Sequence, residues 1–212
     1  MRNKTTVYLV RHGETEWNLS GKWQGHADAP LTIRGEAQAH ALGERFKGES
    51  FDACYVSDLG RAVRTAELAL GPSVMTFSTD ERLRERDLGV IQGLTTAEML
   101  ERCPEVYDSF RNAGPDYLIP EGESFRQFHE RCVEALEDFT KRHAGGRVLL
   151  VTHGGVLGAI FRYVAQVPLE APRGYVLLNC SVNVMDKMGD SWNLVHWGDV
   201  SHLNDLDSLD DE

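Results

Sequence analysis

The chain has 212 residues, 42% hydrophobic and 26% charged, the composition of a globular domain long enough to bury its own core. Acidic residues outnumber basic ones 33 to 22, a net charge of −11, which disfavours nucleic acid or an anionic membrane as partner but not a small anion in a locally basic pocket. No apolar run approaches the ~20 residues of a membrane span. Four scattered cysteines without a Cys-x-x-Cys pair suit the reduced thiols of a cytoplasmic protein better than disulfides or a zinc site.

The first element is Thr6–Val10, a short β-rich run ended at once by Arg11-His12, which reads as a buried parallel strand and not as a signal peptide. Thr32 can cap a helix running to about Phe46. Phe51–Val56 is a second strand, stopped by Ser57, and Leu59–Leu70 a second helix. The stretch Thr95–Glu123 breaks this rhythm with two short helical pieces, Thr95–Arg102 and Pro104–Asn112, then a Gly/Pro-punctuated run. Such an insertion is expected to cap or flank the site. Ser124 caps the clearest helix, with Phe125, Phe128, Cys132, Leu136 and Phe139 at helical spacing. Arg147–Thr152 is the third strand and Gly154–Val164 the helix after it. Strands alternating with helices predict an α/β fold, a three-layer sandwich around a mostly parallel sheet with a small helical cap. One domain is expected to run to residue 204. Asp205–Glu212, with five acids and no base, is expected to be a disordered tail.

Ligands of open α/β sheets bind beyond the carboxyl ends of the strands. There the sequence places Arg11-His12-Gly13-Glu14, Ser57-Asp58-Leu59-Gly60-Arg61 and Thr152-His153-Gly154-Gly155. Two histidines and two arginines converge, glycines such as Gly154 let backbone N–H groups approach, and a helix begins at the same edge. That is an anion site. A lone His-Gly after a strand is usually a turn histidine; two at equivalent ends, one preceded by arginine, are not. His-x-x-x-His metal spacing, a Gly-x-Ser-x-Gly nucleophile and a Gly-x-Gly-x-x-Gly loop are all missing. What remains is histidine as covalent nucleophile toward phosphorus. His40, His129 and His143 fall on helices and read as surface or interface residues. Trp17 and Trp23 suit pocket wall or core edge equally, and Trp197 and His202 lie after the sheet with no chemistry assigned.

The run Leu9-Val10-Arg11-His12-Gly13-Glu14-Thr15 resembles the Arg-His-Gly signature of the histidine phosphatase superfamily, in its phosphoglycerate mutase-like branch. The resemblance continues in order through Asn18, Gln24-Gly25, Pro30-Leu31-Thr32, Gly35, Ser57-Asp58-Leu59-Gly60-Arg61-Ala62, Thr65-Ala66, Arg84-Glu85-Arg86-Asp87-Leu88-Gly89, Gly93, Gly122-Glu123-Ser124 and Thr152-His153-Gly154-Gly155. It implies His12 as the phosphorylated nucleophile, with Arg11, Arg61 and His153 completing the phosphate pocket. Asn18, Gln24 and Gly25 would add contacts to phosphate or substrate, and Glu85 would be general acid and then base. Residue types alone would have left Glu85 as a surface carboxylate. The resemblance implies no metal and no organic cofactor, and leaves a homodimer open. One departure is Ile91-Gln92, where many relatives carry Trp-Glu.

Mutases of this family resemble one another in a long basic insertion between the acid and the second histidine. Here 68 positions separate Glu85 from His153 (153 − 85), and Cys103–Glu123 holds one base, Arg111. The expectation is therefore a phosphomonoesterase acting on a small phosphorylated metabolite. A phosphoglycerate mutase and a non-catalytic phosphate-binding regulator are the alternatives.

Overall fold

The computed structural model describes residues 4–74, 76–204 and 206–210. Its strands are β1 (Thr5–Arg11), β2 (Ala53–Val56), β3 (Ser78–Thr79), β4 (Arg147–Thr152), β5 (Val182–Met188) and β6 (Ser191–Asp199). They form one sheet in the order β3-β2-β4-β1-β5-β6. The first four are mutually parallel, while β5 runs antiparallel to both β1 and β6. The β5–β6 hairpin was not anticipated, and it places Trp197 inside the sheet rather than after it.

The helices are α1 (Glu16–Leu19), α2 (Ile33–Arg45), α3 (Gly60–Val74), α4 (Thr96–Arg102), α5 (Pro104–Asn112), α6 (Phe125–Arg142) and α7 (Gly154–Val164). Thr32, Thr95 and Ser124 each cap a helix by accepting a backbone N–H three residues on, as their positions predict. In α3 the helical backbone breaks at Gly71, which takes φ +62°.

Alternation along the central strands sends side chains to two cores. Val7, Leu9, Val148 and Leu150 face α6 and α7, meeting Phe128, Leu136, Phe139, Val156 and Ile160. Val10, Leu149, Val151, Cys54 and Val56 face α2 and α3, meeting Leu42, Phe46, Ala62 and Ala66. The sheet is thus the middle of three layers. A third cluster, Leu88, Ile91, Met99 and Ile119, gives α4 and α5 a small core of their own, with Trp23 and Phe110 against it.

The acidic tail departs from its expected disorder. Residues 206–210 pack against the protein: Asn179 N–H donates to the Leu209 carbonyl, Ser208 Oγ donates to the Asn179 carbonyl and Gln38 Nε2 donates to the Asp207 carbonyl. The remaining tail residues Asp205, Asp211 and Glu212 lie outside the described residues.

Close backbone approach fixes the loop after β1. A Cβ on Gly35 would strike the Glu14 carbonyl, and one on Gly13 would strike the Gly35 carbonyl, so the loop carrying His12 lies flat on the first turn of α2. Gly35→Ala is expected to cost about 1–3 kcal/mol, the range for overpacking a fixed site. Urea unfolding checks this.

Candidate active site

Parallel pairing of β1 with β4 aligns Arg11 with Thr152, so the next residue of each strand, His12 and His153, stand side by side with ring centroids 5.2 Å apart. The His12 N–H donates to the Thr152 carbonyl and continues that register into the loop. Asn179 Nδ2 donates to the His12 carbonyl from the other side. His12 Nδ1 lies 2.8 Å from the Gly13 carbonyl, so Nδ1 carries the proton and Nε2 keeps its lone pair for attack. Burial, then Arg61 and Arg11, push the His12 pKa well below its ordinary value. The His12 imidazole is therefore neutral at neutral pH.

His153 caps α7 without a side-chain capping bond, its ring freed for the cavity side. Its Nε2 lies 2.7 Å from Ser57 Oγ. With Ser57 donating, the ring proton sits on the buried Nδ1, which meets no protein acceptor. Burial, then Arg61, hold its pKa low as well.

Arg11 and Arg61 are both buried. Arg11 Nη1 donates to the Leu177 carbonyl and, at 3.2 Å, to the Leu209 carbonyl. Arg61 donates through Nη2 to the Gly25 carbonyl (2.8 Å) and through Nη1 to the Ala27 carbonyl (2.9 Å) and Asp28 (3.1 Å). Carbonyls of Leu177, Leu209, Gly25 and Ala27 thus help to orient the two guanidinium groups, together with Asp28 at Arg61. Thr65 ties the two arms together, since Gly13 N–H donates to its hydroxyl and that hydroxyl donates to the Arg61 carbonyl.

Glu85 sits in an extended loop between two 3₁₀ turns, Glu81–Leu83 and Gly89–Ile91. Its carboxylate accepts from the Gly155 N–H at the start of α7 (2.9 Å) and from the Arg86 N–H (2.8 Å). Its carbonyl accepts from Arg131 Nη2 (3.3 Å) and lies 2.9 Å from His26 Nε2. A Cβ on Gly155 would displace the Glu85 carboxylate from its present place, and one on Gly154 would press on the Arg11 side chain.

These groups open on one cavity of about 450 Å³, lined by His12, Asn18, Gln24, Gly25, Arg61, Glu85, Gly154 and Gly155 among others. The structure thus brings together the sequence-selected residues, with Arg11 and His153 buried beside the cavity and Asn18 and Gln24 at its edge. Asn18 also closes a capping box with Thr15, while the buried Gln24 Oε1 has no protein donor. Further out the wall is aromatic, with Trp17, Trp23, Phe110 and Phe125, and carries the cations Lys22, Arg86 and Arg173. Arg86 lies over the Phe110 and Phe125 rings at 5.4 and 5.8 Å, and burial takes its pKa down to about 10, leaving it cationic. Among the described residues no group of three or more His, Cys, Asp or Glu side chains could hold a metal ion.

The histidine phosphatase superfamily (branch 1) profile matches residues 7–200. The chain belongs to that superfamily. A metal-independent phosphoserine phosphatase of Arabidopsis thaliana is 42% identical over 211 residues, 97% of this chain and 86% of the relative. A probable phosphoglycerate mutase GpmB of Klebsiella pneumoniae is 39% identical over 203 residues, 93% and 94% of the two chains. The solved structure of Bacillus stearothermophilus YhfR superposes with a TM-score of 0.85 at 37% identity, covering 94% of this chain and 99% of that one. As a member of the superfamily, this chain falls among phosphatases and mutases.

Sequence reasoning missed several supports: Ser57 and Thr65, which stood in matched motifs without a role, and His26, Asn179 and Gln92. Gln92 Oε1 accepts the backbone N–H groups of both His26 (2.5 Å) and Ala27 (3.0 Å), pinning the loop whose carbonyls orient Arg61. Its signal was the departure at Ile91-Gln92. Gln92→Ala leaves two N–H groups unpaired and is expected to cost about 1–3 kcal/mol of stability. It should also lower kcat/KM on any phosphomonoester, through Arg61, whereas Gln92→Glu keeps the acceptor and most of the activity. Steady-state kinetics with urea unfolding check both variants.

Proposed function

We propose that this protein is a phosphomonoester hydrolase working through a phosphohistidine on a small phosphorylated metabolite. His12 Nε2 attacks phosphorus. Arg11, Arg61 and His153 Nδ1–H take up the charge on the equatorial oxygens, with Asn18, Gln24 and the Gly25 and Gly154 backbones framing the site. Glu85 protonates the leaving oxygen and then, as base, activates the water that releases phosphate from His12. The step needs no metal, in keeping with the name of the relative from Arabidopsis thaliana. Cysteines that form no disulfide, and the lack of any helix able to cross a membrane among the described residues, support a cytoplasmic setting.

Hydrolysis rather than relocation of the phosphoryl group rests on one observation. From residues 95–123, read as a cap, only Thr96 and Phe110 reach the cavity, and Arg111 does not. A mutase must hold a bisphosphorylated intermediate and exclude water; this cap supplies no cation for the task. The cations present, Lys22, Arg86 and Arg173, come from other segments and can receive one further anionic group. A phosphorylated hydroxy or amino acid is therefore the substrate class favoured, the class to which the named substrates of both curated relatives belong.

Two experiments test this reading. Incubation with a labelled phosphomonoester should place acid-labile, alkali-stable phosphate on His12, abolished by His12→Ala and unaffected by chelators; label on serine, or activity restored only by a divalent ion, would contradict it. Glu85→Gln should slow alkyl phosphates by about 100- to 10,000-fold, the usual worth of general acid–base catalysis, and p-nitrophenyl phosphate far less because its leaving group needs no proton. Equal losses on both substrates would assign Glu85 to binding alone. Phosphate release from 3-phosphoglycerate should outpace its isomerisation.

A further inference from the structure

Residues 206–210 are zipped along the loop that carries the nucleophile. Gln38 bridges the two directly, accepting the Glu14 N–H and donating to the Asp207 carbonyl. One residue before the last described position, the Leu209 carbonyl accepts from Arg11. The next side chain, Asp210, turns back to the cavity. There its Oδ1 accepts from Arg173 Nη1 at 2.7 Å and from the Leu177 N–H at 2.9 Å. Asp210 and Arg173 line the same cavity as His12, Arg61 and Glu85.

We propose that Arg173, with the Leu177 N–H, is the receptor for the substrate's second anionic group, a carboxylate, and that Asp210 is a tethered carboxylate that holds this receptor until substrate displaces it. The geometry is that of carboxylate recognition already carried out, by a side chain of the chain itself. Arg86 and Lys22 are the other cations of the wall, and they face aromatic rings instead: Phe110 and Phe125 for Arg86, Trp17 for Lys22. Displacement is cheap. The pair is about a quarter to a third exposed on each side chain, and such pairs contribute little to stability. A short tether nevertheless presents Asp210 at an effective concentration of order millimolar. The tail therefore screens ligands, since a phosphoester without a carboxylate cannot compete for Arg173, whereas one with a carboxylate can. Release of Asp210 leaves the Leu209 carbonyl on Arg11, so the phosphate pocket stays assembled during the exchange.

The proposal rests on the hydrolytic reading above, and the test separates the two. Wild type, Asp210→Asn, Arg173→Gln and the double variant are assayed on O-phospho-L-serine, 3-phosphoglycerate and p-nitrophenyl phosphate, which has no carboxylate. Asparagine keeps the acceptor for the Leu177 N–H and removes only the competing charge. Asp210→Asn should lower KM for the two acids about two- to five-fold relative to p-nitrophenyl phosphate, the span of a partly exposed ion pair. Arg173→Gln should raise that ratio, and in its presence Asp210→Asn should have no further effect. Equal KM changes on all three substrates, or additive effects in the double variant, would overturn the proposal. If wild type releases phosphate from none of the three substrates, the hydrolytic reading falls. Calorimetric titration of the same variants with 3-phosphoglycerate then still decides the exchange, and failure of the acid to bind any variant overturns it.

Discussion

Two guanidinium groups buried beside two imidazoles set the terms for everything around them. Desolvating a cation is expensive, and four such groups together would repel one another if all were charged. The structure resolves the conflict in two ways. The histidines stay neutral, their pKa values driven down by burial and by the arginines themselves. The arginines keep their charge and are oriented by the carbonyls of Leu177, Leu209, Gly25 and Ala27, with Asp28 the one carboxylate among these partners of Arg61. The result is a cavity that sets buried guanidinium groups beside a neutral His12 imidazole, the pairing that the proposed attack on a phosphomonoester requires.

Much of this was legible in the sequence because it is local. The strand ends, the Thr32 and Ser124 caps and the helical stripe of α6 depend on neighbours within a few residues, and the register of β1 against β4 then forces His12 and His153 together. What escaped depends on distant partners. The β5 and β6 strands carry charged and polar residues on faces that only the finished sheet defines, so no alternation of apolar residues announced them. The tail was misjudged for a related reason. Its acids suggested a solvated terminus, but Gln38, Asn179 and Arg11 hold it by the carbonyls of Asp207 and Leu209, groups that composition does not reveal. Gln92 and Thr65 likewise act on backbone atoms far away in sequence.

Glu85 is the sharpest case, for a carboxylate in an Arg-rich stretch has no local mark of catalysis. Its position is the product of convergence. Thr152 Oγ1 donates to the Leu83 carbonyl and ties the acid's segment to β4, while Arg131 of α6 donates to the carbonyls of Arg82, Arg84 and Glu85 and lays the loop flat. The start of α7 then presents the Gly155 N–H to the carboxylate. The tethers come from β4, α6 and α7, which also border His12 and His153, so Glu85 and His12 are held on one frame. Immediately beyond, Leu88 and Ile91 enter the separate cluster with Met99 and Ile119. Residues 95–123 rejoin the same tethers at their far end, where the Glu123 carboxylate accepts from Arg131 Nη2 and from the Asp87 N–H. The sheet and its strand ends bring His12 and His153 together, and segments outside the sheet add Lys22, Arg86 and Arg173 to the same cavity.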